Sequence, residues 1–139
     1  MRLNELTALQ DAATVKVAID THFGFALLIF SGPITIETLG LAFRTFMRHR
    51  DYAERMPVVL DYTEASFSNM DPVALKQMTT YMSTRDDRHH TKIAFVLAGN
   101  LQRSLTRIYD AFAASEVPQT RQLFTNVYAA IGWLIPAAA

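Results

Sequence analysis

The stretch Pro57-Val58-Val59-Leu60-Asp61-Tyr62-Thr63-Glu64-Ala65-Ser66-Phe67-Ser68-Asn69-Met70-Asp71-Pro72 decides the fold of this chain. Its apolar start, residues 58–60, favours a strand that is covered on both faces. Its end, Asp71 followed by Pro72, indicates a helix start, because an aspartate can cap the first turn and a proline is tolerated there. Ligands of open α/β sheets bind at the carboxyl ends of strands, so we look for function first in the polar loop predicted at residues 61–71.

Strand and helix patterns alternate on both sides of this stretch. Upstream, two strands at residues 14–20 and 25–30 can pair as an antiparallel hairpin, and Ser31-Gly32-Pro33 is expected to break the second one. The spacing of Leu3, Leu6 and Leu9 favours a short N-terminal helical turn. The remaining predictions are helices at residues 35–49, 72–85, from Asn100 as a cap, and from Asn126 as a cap, and strands at residues 93–98 and 121–125.

The resulting order is β-β-α-β-α-β-α-β-α. Alternating strands and helices imply right-handed crossovers, so we predict an α/β fold with a mixed, mainly parallel sheet and crossover helices. We expect residues 1–139 to form one domain, since a chain of this length can bury a sizeable core.

Composition excludes several functional classes. The 13 basic and 13 acidic residues give a formal net charge of zero, which argues against nucleic-acid binding. The absence of cysteine excludes disulfides, thiolate chemistry and cysteine-rich zinc sites. The N-terminus lacks the layout of a signal peptide, and the longest apolar run, residues 23–30, is too short to span a bilayer. We therefore expect a soluble, cytoplasmic protein.

Three short motifs carry a resemblance to a known family. They are Phe30-Ser31-Gly32-Pro33-Ile34-Thr35, Val58-Val59-Leu60-Asp61 and Ala129-Ala130-Ile131-Gly132-Trp133-Leu134. In this order they resemble the STAS domain of bacterial anti-sigma-factor antagonists, and more closely the SpoIIAA-like (STAS-like) group, over residues 14–134. The resemblance implies a non-enzymatic regulatory or protein-binding module.

The chain departs from that family at the start of the second predicted helix. STAS antagonists carry an Asp-Ser-Ser-Gly motif there, and its second serine is phosphorylated by a partner kinase. The motif falls on Asn69-Met70-Asp71-Pro72, which places Asp71 at the acceptor position. A carboxylate suits a helix N-terminus and partly imitates the charge of a phosphoserine, so the phosphorylatable serine is not expected here. An ordinary N-cap explains Asp71 as well.

The candidate partner- or ligand-binding residues are polar and lie where strands end. No base, nucleophile and orienting group occur together, so we predict no catalytic residue and no enzyme activity, and no cofactor. Asn100 and Arg103, at the predicted start of the third helix, could form an anion pocket. The full set is Asp61, Tyr62, Thr63, Glu64, Ser66, Ser68, Asn69, Asp71, Asn100 and Arg103.

Two other clusters have ordinary explanations. Asp86, Asp87, His89 and His90 lack the spacing of metal ligands, because adjacent histidines point in different directions, and a solvated turn fits them better. The remaining cluster is basic but interleaved with acids, and we interpret it as a solvated helix face; it comprises Arg44, Arg48, Arg50 and Arg55.

The alternative function is a small apolar-ligand or lipid carrier. The SpoIIAA-like group is similar in architecture to lipid-transfer domains of the CRAL-TRIO type. Phe25, Phe43, Phe46 and Phe95 could line a pocket, or they could fill an ordinary core. Homodimerisation through a sheet edge or an apolar helix face is also open.

Overall fold

A computed structural model describes residues 3–9 and 12–135, with the backbone alone for residues 3–6. Within this range six strands form one sheet, and four α-helices connect or cover them. The strands are β1 (Leu3–Ala8), β2 (Thr14–Asp20), β3 (Phe25–Pro33), β4 (Val58–Ser66), β5 (Lys92–Val96) and β6 (Thr120–Phe124). The helices are α1 (Ile36–Met47), α2 (Pro72–Ser83), α3 (Asn100–Ala113) and α4 (Val127–Leu134), and a single 3-10 turn covers Asp86–Arg88.

The strands lie in the sheet in the same order as in the sequence. β1, β2 and β3 pair antiparallel, whereas β3, β4, β5 and β6 pair parallel through the crossover helices α1, α2 and α3. The predicted hairpin of β2 and β3 and the mixed, mainly parallel α/β sheet are therefore confirmed. β6 lies at an edge, as predicted.

The N-terminal segment was predicted wrongly as a helical turn. Residues Leu3–Ala8 form β1, which pairs with β2 from Leu6 opposite Lys16 to Ala8 opposite Thr14. The three-residue leucine spacing is compatible with a helix, but the open edge of β2 offers a ladder of backbone hydrogen bonds that a short isolated helix cannot match.

The break predicted at Ser31-Gly32-Pro33 is also wrong, because β3 continues to Pro33. β3 and β4 pair past Leu60 as far as Pro33 opposite Ser66, with a bulge between Ile29 and Ser31. Residues 61–66, predicted as loop, are thus the second half of β4. Gly32 makes the extension possible, since its φ is +83° and a Cβ there would lie 2.6 Å from the Ala12 carbonyl oxygen.

The core has two layers, one on each face of the sheet. Alternate β4 residues separate them: Val58, Leu60 and Tyr62 face α1, α2 and α3, while Val59 faces α4. This alternation explains the continuous apolar run at the start of β4, because each face of the strand is covered by helices.

Gly32 generates the first prediction. Gly32→Ala should lower the free energy of unfolding by about 2 kcal/mol, because the added methyl group meets the Ala12 backbone and the left-handed φ is strained. Urea denaturation measures the loss. The matched control is Gly40→Ala in α1, where a Cβ meets nothing within 4 Å and helix propensity should raise the stability instead. Equal effects of the two substitutions would contradict this account of Gly32.

Candidate functional site

The carboxyl ends of β4 and β5 lie side by side, because the two strands are parallel neighbours. Below, "this edge" means the side of the sheet where these strand ends lie, and not an edge strand such as β6. The first turns of α2 and α3 follow these ends in the chain. The Ala74 amide donates a hydrogen bond to Asp71 Oδ1 at 2.8 Å, and Pro72 occupies the first turn. The predicted N-cap and proline start of α2 are therefore confirmed.

The candidate residues of the 61–71 segment divide into buried and exposed ones. Asp61 and Tyr62 are buried, and Asp61 Oδ1 accepts hydrogen bonds from the Thr63 amide and hydroxyl. The Tyr62 ring stacks on Phe30, with 4.7 Å between ring centroids. Their side chains are therefore internal and offer little to a partner at the surface. The exposed members are Thr63, Glu64, Ser66, Ser68, Asn69 and Asp71.

Gln102 holds this edge together, and sequence reasoning missed it. Its Nε2 donates to the Tyr62 and Ala65 carbonyls, each at 2.9 Å, and its Oε1 accepts from the Ala98 amide at 3.0 Å. The side chain is buried, so it joins the end of β4 to the end of β5 and to the first turn of α3. The sequence Leu101-Gln102 at the start of α3 is an ordinary one for a helix, so it did not predict this bridge.

The start of α3 differs from the prediction. Asn100 is the first helical residue rather than the cap; Gly99 occupies the cap position and provides no side-chain hydrogen bond. Gly99 has φ +149°, a conformation that favours glycine, and this lets the helix begin one residue early. Asn100 is exposed and Arg103 is partly buried. The anion pocket suggested for this pair stays a prediction.

Two exposed apolar side chains accompany the polar residues at this edge. Val73, in the first turn of α2, is 67% exposed, and Leu101, in the first turn of α3, is 53% exposed. Such residues are ordinary when scattered, but here both stand at the same edge of the sheet. We use the name carboxyl-end surface for these two residues together with the exposed polar residues Glu64, Ser66 and Asn69.

A separate feature lies inside the layer beneath α1, α2 and α3. An apolar cavity of about 60 Å³ runs along β4 and β5, from Tyr62 at the carboxyl end to Arg88 at the amino end. Of the four phenylalanines considered for a pocket, Phe43 and Phe95 line it. Phe25 packs on the opposite face of the sheet, and Phe46 is in the core outside the lining. Two of the four phenylalanines considered for a pocket therefore line this cavity, and the other two do not.

Arg88 is the unexpected member of the cavity wall. It is 1% exposed, its Nη2 donates to the Met56 carbonyl at 2.8 Å, and its guanidinium carbon lies 5.2 Å from the centre of the Phe46 ring. Among the described residues, Nη1 has no hydrogen-bond partner. Burial lowers the pKa of the Arg88 guanidinium from its usual value. Unpaired buried guanidinium groups are rare, because desolvating a charge is unfavourable.

The neighbouring charges are engaged with one another. Asp87 Oδ2 accepts from the Tyr52 hydroxyl at 2.7 Å and from Arg85 Nη2 at 3.1 Å. Burial raises the pKa of Asp87, but its hydrogen bonds and the positive charge of Arg85 together outweigh burial, and the pKa lies below its usual value. Burial also raises the pKa of both cavity tyrosines, that of Tyr109 to about 12, so Tyr62 and Tyr109 keep neutral hydroxyls.

The Asp86 to His90 turn and the basic cluster form no convergent site. His89 Nδ1 lies 3.6 Å from Asp86 Oδ1, and His89 Nε2 contacts the Met82 carbonyl. Within residues 3–9 and 12–135, no three histidine, cysteine, aspartate or glutamate side chains are placed to hold a metal ion. The basic side chains at positions 44, 48, 50 and 55 are exposed, and two of them contact the adjacent acids.

Comparison with known proteins bears on the fold. No protein-family model matches the sequence, and no curated protein matches it either. A solved structure does: an uncharacterized protein of the DUF3478 family with a SpoIIAA-like fold, from Shewanella loihica PV-4. The two structures agree with a TM-score of 0.56 over 96% of this chain and 98% of that one, at 15% sequence identity. The fold is SpoIIAA-like.

This agreement confirms the resemblance at the level of architecture. At 15% identity the SpoIIAA-like neighbour supports the fold alone. No helix in the described part of the chain has the length and apolar character needed to cross a bilayer.

Gln102 generates the second prediction. Gln102→Ala should lower the free energy of unfolding by about 2 kcal/mol or more, because it leaves two carbonyls and one amide without their partner. Gln77→Ala, on the exposed face of α2, is the matched control and should be within about 0.5 kcal/mol of the native protein. Urea unfolding monitored by circular dichroism compares the two. A loss no larger than that of the control would refute the bridging role.

Proposed function

We propose that this SpoIIAA-like chain is a non-enzymatic regulatory module that binds a protein partner through the carboxyl-end surface. The observation that carries the proposal is the exposure of Val73 and Leu101 in the first turns of α2 and α3, two helices that begin at the same edge of the sheet. Exposed apolar side chains accompanied by polar ones, here Glu64, Ser66 and Asn69 in the segment from β4 to α2, match the composition of protein interfaces.

The state of the other polar groups at this edge also supports binding over catalysis. Each of them is already hydrogen-bonded: Asp61 accepts from Thr63, Asp71 accepts from an amide in the first turn of α2, and Gln102 bonds to three backbone groups. Each of these side chains already has a structural task, which leaves them poorly suited to move protons or to attack a substrate.

Regulation by phosphorylation at the start of α2 is not part of the proposal. Asp71 stands where the antagonists carry the acceptor serine, and its carboxylate is already bound to the Ala74 amide. A permanent negative charge at this helix start would keep the module in one charge state.

The third prediction tests the surface. Replacing both Val73 and Leu101 with aspartate should weaken partner binding about tenfold or more, because the apolar centre of an interface contributes most of its affinity. Cross-linking in cell extract identifies the partner, and titration of the purified pair measures the dissociation constant. Glu64→Arg should weaken binding less, as a rim substitution.

The control for this experiment is Tyr128→Asp. Tyr128 is 87% exposed on α4, which covers the opposite face of the sheet from α2 and α3. It adds one negative charge at an exposed apolar position, as each of the two substitutions in the double variant does. Full affinity in the double variant, or an equal loss in the control, would contradict the assigned surface.

A second function, carriage of a small apolar ligand, is favoured by one specific observation. The cavity beneath α1, α2 and α3 is apolar, and three methionines, Met70, Met78 and Met82, form part of its wall. Methionine side chains are flexible and adapt to irregular contents. At about 60 Å³ the cavity is smaller than the roughly 150 Å³ that holds a benzene molecule, so a ligand must displace these side chains.

The fourth prediction tests carriage. Native mass spectrometry of freshly purified protein should show a bound small molecule, or a saturating apolar probe should raise the melting temperature, because a ligand that binds only the folded state stabilises it. Leu75→Phe narrows the cavity and should reduce either effect, whereas Val73→Ala on the outer side of the same helix should not. A bare protein that no apolar probe stabilises would exclude carriage.

A further inference from the structure

We propose that the cavity receives a ligand with an apolar body and a single anionic group, and that the anionic group binds Arg88 at the amino end of β5. The inference rests on the second function proposed above and adds the chemical class of the ligand. It is carried by the cavity together with the buried guanidinium of Arg88, whose Nη1 has no hydrogen-bond partner among the described residues.

Arg88 is the charged group of the wall. Among the described residues that line the cavity, Tyr62, Thr106, Tyr109 and Gln119 are polar but neutral, and the others are apolar. A neutral apolar ligand would fill such a cavity without using the guanidinium. A ligand that brings one negative charge would place opposite charges together inside a site of low dielectric constant, where their attraction is strong.

The charge of Asp87 acts on Arg88 from nearby, but it forms no ion pair with the guanidinium. Within the described part of the chain, no carboxylate lies within the 4.0 Å of an ion pair with its guanidinium. The adjacent carboxylate, Asp87, is bound by Tyr52 and Arg85 instead. Arg88 is held by the Met56 carbonyl, by the Phe46 ring and by the ring and hydroxyl of Tyr52, and Nη1 remains without a geometric hydrogen-bond partner among the described residues.

The dimensions of the wall indicate an elongated ligand. Val58 and Tyr62, both in the lining, are four residues apart on β4, which corresponds to roughly 13 Å along the strand. Arg88 lies at the Val58 end, because it precedes β5 and β5 runs parallel to β4. An unbranched carboxylate would lie along β4 with its apolar end near Tyr62 and Met70.

The experiment uses the full chain and a series of probes of increasing chain length, called the ladder below. Straight-chain carboxylates from hexanoate to dodecanoate, kept below their micelle concentrations, are compared with the alcohols of equal length and with acetate. Affinities come from calorimetry and from the shift in melting temperature. We expect each carboxylate to bind about tenfold or more tightly than its alcohol, the gain of a charge-assisted hydrogen bond, and acetate to bind far more weakly.

Arg88→Met, which keeps an apolar side chain in the wall, should reduce the carboxylate-to-alcohol ratio to about one. Arg44→Met, at an exposed position of α1, removes the same charge from the surface and should leave the ratio unchanged. If Arg88→Met does not fold, the native ladder still decides, since equal binding of carboxylates and alcohols overturns the inference.

The other outcomes separate this inference from the proposal beneath it. Equal binding of both series leaves carriage intact and removes the role of Arg88. A carboxylate preference that survives in Arg88→Met places the anion elsewhere and overturns the inference. Acetate binding as tightly as dodecanoate would mean an anion site without an apolar body. Absence of binding by every probe overturns both the inference and apolar carriage.

Discussion

The structure depends on the burial of β4 on both faces. Val58 and Leu60 pack beneath the crossover helices, Val59 packs beneath α4, and parallel neighbours bond the strand on each side. A strand in this position has no edge and no solvated face, so its residues are nearly all apolar until it leaves the core. Asp61 is the first polar residue of β4, and it therefore marks the point at which the chain approaches the carboxyl end of the sheet.

Short sequence patterns were enough to predict the elements that are determined by neighbouring residues in the chain. The Asp71-Pro72 and Asn126 helix starts, the hairpin of β2 and β3 and the edge position of β6 follow from capping, alternation and strand order. The extension of β3 and β4 did not follow, because it requires Gly32 to pass against Ala12, and that contact joins distant parts of the chain. β1 was missed for the same reason, since its partner strand decides its conformation.

The sequence predicted where residues 61–71 lie, but it did not predict the surroundings of the buried polar residues. Residues 61–71 do reach the edge of the sheet, but Tyr62 turns inward to the cavity, as the alternation of a longer β4 requires. The sequence did not indicate the roles of Gln102 and Arg88, because both depend on tertiary contacts with residues distant in the chain. Gln102 is satisfied by three backbone groups, whereas Arg88 retains an unused donor. The contrast between them distinguishes a structural polar residue from a candidate ligand contact.

Tyr62 joins the wall of the cavity to the first turn of α3. Its ring lines the cavity, while its carbonyl oxygen accepts the hydrogen bond from Gln102 that fixes the first turn of α3. One residue thus belongs to the interior wall and to the support of the outer surface. Because Leu101 is the chain neighbour of Gln102, the cavity wall and the exposed Leu101 share this hydrogen-bonded support.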